Sequence, residues 1–98
     1  MRLSIHGEIW FWRGPSPFHF VTVPQEESKE IRAISPLVTY GWGVIPVEAT
    51  IKNTNWRTSL FPKDDRYLVP IKALVRRAED LELGDEVRIV LTLKEPEF

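Results

Sequence analysis

The sequence contains no cysteine, which excludes disulfides, thiolate-held metals and thiol nucleophiles together. It has no apolar run near the roughly 20 residues of a membrane-spanning helix. The opening Met1-Arg2-Leu3-Ser4-Ile5 alternates like a strand, so no signal peptide is expected ahead of the fold. An excess of charge of one sign is also missing. Thirteen basic and fourteen acidic residues leave a net charge of −1, too little to attract nucleic acid or an anionic membrane nonspecifically. No glycine-rich phosphate loop occurs, and Ser4, Ser16, Ser28, Ser35 and Ser59 sit in no nucleophile elbow. Asp64-Asp65 is expected in an exposed turn rather than in a catalytic pair. These absences lead to the expectation of a non-enzymatic, cytoplasmic protein with no cofactor.

What is present is an ordinary globular composition, 43% apolar and 28% charged over 98 residues, enough for one domain spanning 1–98. Leu3, Ile5, Ile9 and Phe11 alternate with polar or tryptophan positions, which predicts one strand over about 2–12. Gly14-Pro15-Ser16-Pro17 breaks it, and Phe18 to Val23 is the returning strand. Pro24 suits a first helical position. A helix to Ile34 follows, with Ile31 and Ile34 inward, and Ser35-Pro36 stops it. A third strand runs from Trp42 to Lys52, with Pro46 suggesting an edge or a bulge. Asn53-Thr54-Asn55 turns into the strand Trp56–Phe61, and Arg66–Val69 is the next strand. Pro70 opens a second helix to about Asp80, with Ile71, Leu74, Val75 and Ala78 as its apolar stripe. Glu86–Leu93 closes the series.

The chain reads as two weakly similar halves, about 1–46 and 47–98, each a strand, a proline and a helix followed by an apolar strand. The segments "GWGVIPVEATI", "NTNWRTSLFP" and "YLVPIKALVRRAEDLELGDEVRIVL", with the earlier "VTVP", resemble a prokaryotic family known as a domain of unknown function. That family is sometimes joined to an OmpD-associated or bacteriocin-protection segment. The resemblance implies a mainly β fold, a double-split β-barrel of two pseudo-symmetric halves capped by two short α-helices. The last segment is also similar to the swapped-hairpin unit of AbrB- and MazE-type transcription factors. Asp64-Asp65 stands where the family pattern leads one to expect glycine in the turn. The family carries no established activity.

Candidate sites are few. Arg57 and Ser59 share a strand face with Phe61, and with Lys72 and Arg76 they could hold a small anion if the fold gathers them. The competing reading pairs Arg57 with Glu48 and Arg76 with Asp80. Trp10 and Trp12 could offer a stacking surface to a sugar, a base or a partner protein, whereas Trp42 and Trp56 are expected to fill the core. His6, Glu8 and His19 are the one set with metal-ligand character, but cross-strand polar pairs are routine and no bound metal is expected. The leading expectation is a binding or interaction module, a monomer or weak homodimer, for a small anionic ligand or a protein partner. An AbrB-like nucleic-acid regulator comes second and a small hydrolase third. Nucleic acid ranks low because Glu79, Asp80, Glu82, Asp85 and Glu86 crowd the same unit as Lys72, Arg76 and Arg77.

Overall fold

In the computed structural model, which describes residues 1–14, 18–39 and 43–94, alternating apolar side chains build seven strands. Pro15-Ser16-Pro17 of the first expected turn and Trp42 lie outside those residues. The order is β1 (Arg2–Glu8), β2 (Trp10–Trp12), β3 (Phe18–Thr22), α1 (Gln25–Val38), β4 (Ile45–Ile51), β5 (Thr54–Lys63), β6 (Arg66–Pro70), α2 (Ala73–Ala78) and β7 (Glu86–Leu93). All pairings are antiparallel, in a curled seven-stranded sheet ordered β1-β7-β4-β5-β6-β3-β2. The fold is mainly β and barrel-like, as the family resemblance implied.

Two strands divide their pairing, and this bends the sheet into two arms. β5 pairs with β4 up to Leu60 and with β6 from Phe61 onwards. The expected single strand over 2–12 is divided in the same way. Residues up to Glu8 pair with β7, and residues from Trp10 pair with β3. Ile9 alone joins the two ends of the strand order. Its amide donates to the Asp85 carbonyl and its carbonyl accepts from the Gly84 amide, both at 2.9 Å. Ile9 and Leu60 mark the two switch points, and both are fully buried.

The arms are therefore β1-β7-β4-β5, the long arm, and β5-β6-β3-β2, the short arm. Exchanging β1/β2 with β5, β3 with β6 and β4 with β7 reproduces the same order. The hydrogen bonds obey that pseudo-symmetry. The Val23 amide donates to the Tyr67 carbonyl and the Ile71 amide to the His19 carbonyl, both at 2.8 Å. Val21 and Val69 face each other between them. The equivalent halves meet at the tight Lys52-Asn53 turn, where Lys52 has φ 51°, rather than near residue 46, because β4 belongs whole to the first half.

Four local expectations are corrected. Pro24 is the N-cap of α1 rather than its first helical residue, whereas Pro70 ends β6 and Lys72 caps α2. Ser35-Pro36 does not stop α1, which continues to Val38. A proline so near the C-terminus frees only the Arg32 carbonyl, and Arg32 is exposed to water. β4 is an interior strand, not an edge. Pro46 is tolerated because, among the described residues, β7 begins to pair with β4 only at Val47. Finally, α2 buries Val75 but leaves Leu74 and Ala78 exposed, since six helical residues make too short a stripe.

The core lies inside the curl, where Ile5, Val47, Ala49, Trp56, Val69, Ile89 and Leu91 converge, with Ile31 of α1 and Val75 of α2 closing over it. α1 packs on β4 and β6, and α2 packs on β5. The Trp56 indole N–H finds the Pro70 carbonyl at 3.3 Å, and buried Ser28 donates to the Val23 carbonyl at 3.1 Å. No helix among the described residues is long and apolar enough to cross a membrane.

Candidate functional site

Cross-strand partners project to the same face of a sheet. On the short arm, Trp10 faces Phe20, Trp12 faces Phe18, and Phe61 faces Leu68, with Lys63 opposite Arg66. Thr22, two residues from Phe20, stands opposite Leu68. All of these therefore share one face, whereas Val21, Tyr67 and Val69 occupy the other and enter the core. Both faces of the short arm thus carry apolar clusters, with Thr22, Lys63 and Arg66 the polar residues among those named on the outer one. Half-exposed antiparallel sheets ordinarily present polar side chains to water.

On this outer face the side chains build a second cluster. Phe20 and Leu68 are only 4% and 3% exposed, yet neither belongs to the central core. The aromatic rings around them cover them. Phe20 lies 5.5 Å from Trp10, 6.1 Å from Trp12 and 5.8 Å from Phe18, centroid to centroid and all tilted. The covering rings themselves stay open to solvent: Trp12 is 43%, Phe18 49% and Phe61 42% exposed. Trp10 is fixed by its indole N–H, which donates to Thr22 Oγ1 at 3.0 Å.

Between the open rings lies a cleft of about 590 Å³, lined by Trp12, Gly14, Phe18, Phe20, Phe61, Pro62, Lys63 and Leu68. Its size falls within the range of small-ligand sites. Gly14 sits so close to Trp12 that a Cβ would stand 2.6 Å from the indole Nε1, so a larger residue there requires the ring to shift. Lys63 Nζ lies 5.4 Å from the Trp12 ring centroid, a cation–π placement. Its carboxylate neighbour, Asp64, is 3.8 Å away and almost fully exposed.

Of the residues singled out from sequence, Trp12 lines this cleft and Trp10 supports it from beside Phe20. The charged candidates lie elsewhere. Lys72 Nζ donates to the backbone carbonyl of Arg57 at 2.8 Å, so the two residues do meet, but the Arg57 side chain turns to Glu48, 3.5 Å away. Ser59 lies on the same strand, opposite Pro46. Arg76 does not reach out to Asp80. Its Nε donates to the Ile71 carbonyl at 3.3 Å, and its guanidinium lies 3.4 Å from His19 Nε2. Burial, and then the charge of Arg76, lower the His19 pKa from its ordinary value. His6 stands opposite Arg88 on β7 while His19 stands opposite Phe11 on β2. The division of the first strand at Ile9 is what parts them. Among the described residues, no group of three or more His, Cys, Asp or Glu side chains could hold a metal ion.

Phe18, Phe20, Phe61, Lys63 and Leu68 were not identified as site residues from sequence. One signal points to Phe18 and Phe20: in Trp10-Phe11-Trp12 and in Phe18 to Val23, apolar residues occupy both parities of a strand. A strand buried on one side only does not need that.

No curated protein matches the sequence. The family described as a domain of unknown function, DUF1905, matches residues 6–91, and the chain belongs to that family.

Proposed function

We propose that this DUF1905 chain is a non-enzymatic binding module whose working surface is the aromatic outer face of the short arm, taking a small apolar molecule. One observation carries the reading. A four-stranded arm already buried on one face exposes three large rings, Trp12, Phe18 and Phe61, around a cleft on the other. Exposed apolar patches of this kind mark binding sites. The dimensions favour a small molecule over an extended macromolecular contact. The side chains lining the cleft include no carboxylate, hydroxyl, thiol or imidazole, and Lys63 is the one titratable group among them, a thin set for acid–base chemistry.

A neutral fluorescent dye, Nile red, tests the proposal. Its emission should rise in the presence of the native protein and fall back with Trp12→Ala or Phe61→Ser, each checked for fold by circular dichroism. Equal enhancement by wild type and both variants, or none at all, rules the surface out.

The AbrB-like reading has weaker support. It needs free cations on the Tyr67–Leu91 unit, and there Lys72 and Arg76 are bonded to backbone carbonyls.

A further inference from the structure

We infer that the ligand of the aromatic cleft is a planar aromatic acid, held by stacking on the open rings with its anionic group against Lys63. The inference rests on the binding reading above and deepens it.

Three features of the lining point to this chemistry. The first is shape. Trp12 and Phe18 stand as register partners on neighbouring strands, and Phe61 stands across the arm. The buried side chains of Phe20 and Leu68 form the floor between them. Open ring faces gain most from a flat apolar partner.

The second feature is the polarity of the side chains. The lining offers two polar side-chain groups, the Lys63 ammonium and the Trp12 indole N–H, and both are hydrogen-bond donors. No lining side chain accepts a hydrogen bond. A ligand rich in donors, such as a sugar or an amine, leaves those donors unmatched on entering. A ligand presenting an acceptor, above all a carboxylate, matches the Lys63 ammonium.

The third is the state of the lysine. Its side chain is 47% exposed, whereas its acidic neighbour Asp64 is 89% exposed. A loose, solvated pairing of that kind contributes little and gives way readily to an anion that arrives with a ring to bury. Nζ stands 5.4 Å from the Trp12 ring centroid, so the ammonium and an aromatic ring belong to the same lining.

The test uses three probes of equal ring size, each competing against Nile red: 2-naphthoate, neutral 2-naphthalenemethanol and cationic 2-naphthylmethylammonium. Naphthoate is expected to bind about fivefold more tightly than the alcohol, the scale of a partly exposed ion pair, and the ammonium more weakly than either. Lys63→Gln should bring naphthoate and alcohol to parity, each measured by competition against Nile red bound to the same variant, and added salt should narrow the preference in wild type. If the alcohol matches naphthoate in wild type, or Lys63→Gln retains the preference, the inference is overturned while the binding surface stands. If Nile red and all three probes fail to bind, the surface itself is wrong and the inference falls with it.

Discussion

Gly7 of β1 lies against Val21 of β3 so closely that a Cβ on Gly7 would stand 2.5 Å from Val21 Cγ1. The two strands belong to opposite arms, and their approach draws the sheet into its curl. Gly7→Ala must push them apart or force Val21 off its rotamer. It should destabilise the fold by about 1–3 kcal/mol, the usual cost of overpacking. Val21→Ala in the same chain should return part of that loss, a coupling readable from a double-mutant cycle in urea. Additive effects in the cycle, or a silent Gly7→Ala, would show that the approach is not close.

The turn between Lys63 and Arg66 has two residues, Asp64 and Asp65, with φ 50° and 64°. That is the backbone of a type I′ hairpin, which prefers glycine in its second place. Asp65→Gly should stabilise the protein by roughly 1 kcal/mol, since glycine adopts positive φ without a Cβ penalty. Arg32 loses its ion pair with the exposed Asp65 carboxylate but keeps its hydrogen bond to the Asp65 carbonyl. A lower melting temperature in the variant would mean that the ion pair outweighs the backbone strain.

His19 sits between the edge of the Phe11 ring and the Arg76 guanidinium of α2, and its pKa is lowered first by burial and second by Arg76. The unfolded chain therefore takes up the proton first as pH falls. The stability tied to neutral His19 is whole above the ordinary value of 6.5 and is lost as pH drops through the lower folded value. Arg76→Met should raise the folded pKa part of the way back, leaving the effect of burial. A His19 ring titration by NMR decides the matter, and a midpoint at or above the ordinary value contradicts it.

Random duplex DNA should show no salt-dependent retardation by micromolar protein at ~50 mM salt, conditions in which nonspecific binders register. Two cations of the helical unit are tied to the fold, Lys72 to the Arg57 carbonyl and Arg76 to the Ile71 carbonyl, and exposed Arg77 stands beside the acidic Glu79, Asp80 and Glu82. Retarded bands that vanish steeply with salt would restore the nucleic-acid reading.

Much of this architecture is legible in the sequence because period-two alternation is local. The stretch from Leu3 to Phe11 announces a strand, and Val87 to Leu93 another. The switch at Ile9 is not legible, since the alternation passes through it unbroken and only the partner strand changes. Pro24 and Pro70 look equivalent in sequence, yet the true equivalents are Pro24 and Lys72, because α2 starts later after its strand. The candidate site was half visible for a similar reason. Trp12 stands out as an aromatic on a polar face, but Phe18, Phe61 and Lys63 join it only through the register of four strands. The basic residues Arg57, Lys72 and Arg76 attract attention by charge; the Arg57–Glu48 pair is readable from the sequence and is formed, whereas Lys72 and Arg76 meet the Arg57 carbonyl and His19 only through the tertiary fold.

The single-residue junction at Ile9 also sets the order in which the chain can fold. β1 has its ladder partner in β7, with Arg2 opposite Thr92, so synthesis from the N-terminal side leaves β1 waiting until nearly the whole domain has emerged. β2, one residue further on, pairs with nearby β3 and can form early. The long separation places the loop-closure entropy of the domain on one seam. Until that seam shuts, β4 also lacks one neighbour and the Ile5 face stays in water. Assembly of the long arm is thereby a late, all-or-none event that nascent chains reach only after β7 is made.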